Sequence, residues 1–154
     1  MKRILVAVCL ILTLFCSAFA ETEKDESRIY IDQEIDLDLC GLNSNIVYAH
    51  IYNMMYEPEA FIGKVIRMAG YFNVLEMNET GMIYFSCIVP DATACCAQGI
   101  EFIWAGEHVW PDDYLEPGTD IIVTGRLESY MEGSYIYLHL VDAQVEWKNG
   151  DDLK

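Results

Sequence analysis

Lys64-Val-Ile-Arg-Met-Ala-Gly70-Tyr-Phe-Asn-Val-Leu75 is the stretch on which the fold turns. Val65, Ile66, Tyr71, Phe72 and Val74 are β-branched or aromatic, the types that fit a pleated, half-buried surface. A single glycine, Gly70, interrupts the run and predicts a β-bulge where the strand bends around a corner. Met77-Asn-Glu-Thr-Gly81 follows as a turn. Four further strands are expected beyond it, at Met82 to Val89, Ile100 to Trp104, Ile121 to Tyr130 and Tyr135 to Trp147. The last two are joined by the tight turn Met131-Glu-Gly-Ser134, and the last is expected to break near Asp142. The chain therefore reads as mostly β.

On the N-terminal side, Pro58 marks a boundary, because the residue before a proline is pushed out of the α region. Ahead of it a helix is expected from an N-cap at Asn43 or Ser44 to about Tyr56. Val47, Ile51, Met54 and Met55 give it an apolar face that Tyr48 and Tyr52 widen, and His50 reads as a packing or surface residue. Ile31 to Leu39 alternates apolar residues with Asp32, Glu34, Asp36 and Asp38, which predicts an acidic edge strand. One helix followed by five short strands, with a bend glycine in the first and a hairpin joining the last two, suits a five-stranded OB-like barrel with one N-terminal α-helix. A single domain is expected over 31–147, between an acidic leader at 21–30 that lacks apolar anchors and a loose polar tail at 148–154.

Residues 1–20 carry the three parts of a secretory signal. Lys2 and Arg3 form the positive start, Ile4 to Phe15 the apolar centre, and Ala18-Phe19-Ala20 the small-x-small cleavage site. The expected product is an exported protein, periplasmic or extracellular. Phe15 stands where lipidation at Cys16 wants a small residue, which argues against a lipid anchor, and the mature form is not expected to span a membrane. Cleavage removes Lys2 and Arg3, so the formal charge of −16 becomes −18. Such a polyanion is repelled by phosphate backbones and anionic membranes, which disfavours nucleic acid and leaves a metal ion or a protein as the expected partner.

Phe85-Ser-Cys87-Ile-Val-Pro90-Asp91-Ala-Thr-Ala-Cys95-Cys96-Ala-Gln-Gly99 is the least ordinary segment, and Cys40 is the remaining cysteine after residue 20. Two readings stand. In one, Cys87 bonds to Cys95 or Cys96 and staples a loop between two strands, since vicinal cysteines bond each other only with strain. In the other, Cys87, Cys95 and Cys96 with His108 or His139 supply the three sulfurs and one nitrogen that suit tetrahedral zinc. Neither a C-x-x-C motif nor a basic neighbour activates these thiols, and no G-x-S-x-G elbow is present, so no catalytic residue is assigned and a non-enzymatic binding module is expected. The rival to a metal site is a disulfide-braced structural or protein-interaction domain whose contact surface is Trp104, Trp110 and Tyr114.

Val47-Tyr-Ala49 to Tyr52-Asn-Met-Met55, Pro58-Glu-Ala-Phe-Ile-Gly-Lys64 and Asp91-Ala-Thr-Ala-Cys95-Cys96-Ala-Gln-Gly-Ile-Glu-Phe102, with Tyr114 after Pro111-Asp-Asp113, give the chain a further likeness. Over roughly residues 44–147 it resembles a poorly characterised family of small exported bacterial OB-like proteins with a D-A-T-A-C-C-x-Q-G-[IL]-E-F motif. More distantly it is similar to the OB-like domain of permease-associated proteins. The resemblance implies an OB-like fold and, loosely, metal handling; it implies no catalytic residues.

Overall fold

A computed structural model describes residues 34–147 apart from 92, 94 and 95. The expectations for the signal, the leader, residues 31–33 and the tail at 148–154 lie outside these residues. The described chain is mostly β: one sheet of six strands and a single α-helix. In order these are β1 (Leu37–Asp38), α1 (Ser44–Tyr56), a 3-10 turn (Pro58–Ala60), β2 (Val65–Met77), β3 (Met82–Pro90), β4 (Ala97–Trp104), β5 (Asp120–Glu132) and β6 (Tyr135–Trp147).

β2 organises the sheet because it changes partner half-way. Val65 to Tyr71 pair with β5, whereas Tyr71 to Met77 pair with β3 along the other edge. β3 continues antiparallel to β4, β4 runs parallel to β6, and β6 is antiparallel to β5. The pairings thus pass β2, β3, β4, β6, β5 and return to β2. Gly70 sits at the hand-over, yet the β2–β5 ladder keeps its register through it and the β2–β3 ladder starts only at Tyr71, so the bulge expected there is absent. Its role is close approach: a Cβ would lie 2.7 Å from the Cys87 sulfur and closer still to the Ile88 carbonyl oxygen. Register irregularities fall instead between Thr124 and Arg126 of β5 and between Phe102 and Trp104 of β4, both opposite the part of β6 that holds Asp142, whose φ of 51° marks the expected break in that strand.

β1 is shorter than the acidic strand expected over Ile31 to Leu39. The Asp36 carboxylate accepts the Val65 N–H at 2.8 Å while the Asp36 N–H donates to the Val65 carbonyl, so local bonding replaces a ladder at that point. Only Leu37 and Asp38 then pair, in parallel, with Ile66 and Arg67.

Inward residues of every long strand meet in one core: Ile66, Met68 and Phe72 of β2, Cys87 and Val89 of β3, Ile100 and Phe102 of β4, Val123 and Leu127 of β5, and Leu140 of β6. α1 covers this core against β3 and β4 through Val47, Ile51 and Met54. Burying each side chain of this size contributes roughly 1.5–3 kcal/mol. Asn43 caps α1 by accepting the Asn45 N–H at 2.9 Å, and the helix stops at Glu57, just before Pro58. Met55 and Tyr52, assigned to the apolar face on sequence, are largely exposed.

The connection from Ala105 to Thr119 closes one end of the sheet with aromatic rings. Tyr114 stacks on Phe85 at 4.1 Å, and Trp110 meets both rings at 5.6 Å. Trp104, Trp110 and Tyr114, the aromatics of the rival contact surface, are partly buried against the core. Rings of this size remove too much apolar area from water to stay exposed when a neighbouring core is open to them.

Candidate functional site

Small residues at the place where β1, α1 and β2 meet leave a void. Gly41 follows β1, Ser44 opens α1, and Ala69 and Gly70 present almost nothing on β2. Around these, Leu39, Leu42, Val47, Val89, Ile121, Ile122 and Trp147 enclose a half-open apolar cavity of about 470 Å³. Its lining also includes the polar residues Ser44 and Tyr71 and the acidic residues Asp120 and Glu146. Glu146 also meets Arg67 at 3.4 Å, and Arg67 reaches Asp38 at 3.5 Å.

Two thiols stand behind the wall. Cys40 lies between the lining residues Leu39 and Gly41, and burial pushes its thiol up to about 11, against the pull of Arg67. Cys87 packs on Gly70 from β3 and is fully buried; burial, with a smaller contribution from Cys40, pushes its thiol up to about 12. Both carry free, protonated thiols at neutral pH. The bond expected between Cys87 and Cys95 or Cys96 is not formed, because strand alternation turns Cys87 into the core with Phe85 and Val89 while Cys96 lies exposed beyond Pro90.

The residues proposed for zinc are dispersed wherever they are described. Cys87 faces the core. Cys96 precedes β4, and its carbonyl accepts the Asp91 N–H at 2.8 Å. Cys95 lies outside the described residues. His108 stacks on Trp104 at 4.0 Å with its Nε2 3.0 Å from the Ala105 carbonyl oxygen. His139 is on the outer face of β6, opposite the buried Leu140, and stacks on Tyr130 at 4.7 Å. Among the described residues no three His, Cys, Asp or Glu side chains group in a way that would hold a metal ion. Mid-helix His50 is half-buried, and its Nδ1 has no hydrogen-bond partner among the described residues.

A second polar arrangement, one that strand patterns alone do not reveal, surrounds His139. The Tyr130 hydroxyl donates to Glu101 at 2.5 Å and the Tyr84 hydroxyl to Glu132 at 2.7 Å. These bonds join β5 to β4 and β3. The hydrogen bond to Glu132 pushes the Tyr84 phenol up to about 12, and burial, followed by the bond to Glu101, raises the Tyr130 phenol. The signal lies in the outward alternation of Tyr84, Glu101, Tyr130 and Glu132, but strand register is needed to bring them together. Among the described residues no helix is long and apolar enough to cross a membrane. No protein-family model and no curated protein matches the chain.

Proposed function

We propose that the protein is an exported, non-enzymatic binding module, built on an OB-like five-stranded barrel, that accepts an apolar ligand carrying a positive charge. The observation that carries this reading is the apolar cavity beside Gly70, with Asp120 and Glu146 as its charged groups. Concave apolar sites with a few placed polar groups are the usual form of small-ligand sites. The return of the strand pairings to β2 supports the barrel, and the three-part N-terminus supports export. A net charge of −16 draws cations toward the carboxylates from a distance.

The test pairs two probes of similar size and opposite charge, benzyltrimethylammonium and benzoate, titrated into the protein and followed by NMR shifts of the lining residues. The cation is expected to shift Ile122 and Trp147 and the anion to leave them unmoved. Ala69→Phe places a ring in the cavity from an exposed position on β2, and is expected to abolish the shifts with the fold intact. Equal response to both probes, or shifts that survive Ala69→Phe, would refute the proposal.

A further inference from the structure

Residues 39–56 hold no Asp, Glu, Lys or Arg, in a chain with 25 acidic and 9 basic residues. Most of that stretch is α1, and only one side of α1 is used by the core. Val47, Ile51 and Met54 are buried; at 100° per residue the opposite side presents Asn45, Ile46, Ala49, Tyr52, Asn53 and Tyr56. Ile46 is 49% exposed, Tyr52 54% and Tyr56 73%. The Tyr52 and Tyr56 rings stack at 6.2 Å with an interplanar angle of 8°, so this surface is already ordered. Solvent-facing helix positions normally take Glu, Lys or Arg, which are also better helix formers than Asn or Tyr. The composition of this face therefore costs both solubility and helix propensity, which indicates a surface that is covered.

We propose that this face of α1 pairs with the same face of a second copy of the chain. Charge selects that occupant. A basic partner would find its complement on the acidic remainder of the molecule, whereas two strongly negative chains can approach only where both are uncharged. The order of residues on the face is also self-complementary. In an antiparallel pair about Ala49, Asn45 lies opposite Asn53 and Ile46 opposite Tyr52 of the partner. Such a two-fold contact buries the same patch on both chains, and the small central Ala49 lets the helices come close. α1 is 13 residues long, or about 20 Å, so the contact is smaller than a standard interface of about 800 Å² per partner. The pairing is therefore weak and reversible.

Sedimentation velocity across a concentration series tests this. Mass is expected to rise from one chain toward two, and the dimer to strengthen as salt rises from about 0.05 to 0.5 M, because screening relieves the repulsion of like charges. Ala49→Glu should weaken it at least tenfold without loss of helix by circular dichroism, and Ala49→Lys should do the same. Mixing the two variants should restore a dimer, since the opposed charges then meet at the two-fold axis. Ile136→Glu, on the exposed β5–β6 hairpin, should leave the dimer unchanged. A monomer at every concentration, a dimer weakened by salt, an equal effect of Ile136→Glu, or no recovery in the Ala49→Glu and Ala49→Lys mixture would each overturn the proposal. None of these outcomes depends on the cavity, which lies against the other side of the helix.

Discussion

Replacing Gly70 by alanine adds one methyl group at the point where β2 changes partner, and the geometry makes its cost calculable. The new Cβ would stand 2.7 Å from the Cys87 sulfur and inside contact distance of the Ile88 carbonyl oxygen, where ordinary contact begins near 3.4 Å. Neither obstacle yields easily. Cys87 is fully buried, and the Ile88 oxygen belongs to the backbone of β3, paired there with β2 and β4. Overpacking of this kind costs roughly 1–3 kcal/mol. The move of the β3 backbone adds to that, while the loss of glycine's unfolded-state freedom returns about 0.5–1 kcal/mol. A net loss of about 2 kcal/mol is expected, or a fall in melting temperature of roughly 8 °C for a domain of this size. Urea denaturation followed by circular dichroism measures it, with the midpoint lowered and the slope unchanged. Gly70→Ala combined with Cys87→Ala identifies which neighbour resists. Removing the sulfur relieves one contact while the carbonyl oxygen remains, so the double variant should recover part of the Gly70→Ala loss but not all of it. If Gly70→Ala stays within about 0.5 kcal/mol of the parent, or Cys87→Ala rescues it fully, the close-approach argument fails.

Cys87 should resist alkylation by iodoacetamide at pH 8 in the native protein and react in urea, with peptide mass mapping as the readout. Its folded value of about 12 lies above the ordinary 9.0, so the stability it confers is complete below pH 9 and is lost as pH rises from 9 toward 12. Cys87→Ala should therefore flatten the alkaline fall in melting temperature. Tyr130→Phe removes the bond to Glu101 and is expected to cost about 1 kcal/mol by urea denaturation, whereas Tyr135→Phe, 70% exposed, should cost nothing measurable. N-terminal sequencing of protein recovered from the envelope or medium of an expressing bacterium should begin at Glu21; retention of residues 1–20 would remove the basis for export.

The β strands after Pro58 are legible in the chain because each carries its own local pattern and its own turn. β6 begins and ends where alternation places it, and the irregularity at Asp142 falls where the pattern falters. Legibility ends where partners decide. Gly70 looks like a bulge because a glycine inside a strand has several uses, and only the neighbouring β3 backbone distinguishes close approach from bulging. Glu34 and Asp36 alternate correctly for a strand, yet Asp36 bonds Val65 from 29 positions away, which no local pattern contains. The tyrosine and carboxylate pairs on the outer face escape local patterns for the same reason.

The candidate site is harder to read because a cavity is defined by what is missing. Gly41, Ser44, Ala69 and Gly70 appear in the sequence as a turn, a helix start and an ordinary strand, and nothing in their types says that they face one another. Cysteines, by contrast, draw attention wherever they cluster. Cys87 groups with Cys95 and Cys96 by proximity in sequence, although Phe85, Cys87 and Val89 occupy alternate positions of one strand and so share its inward face. That alternation by itself separates Cys87 from the loop and makes it a core residue, and the pairing of β3 with β2 sets it against Gly70. The same segment then has two parts with different physics: an inward thiol kept protonated by burial, and an exposed Cys96 on the way to β4.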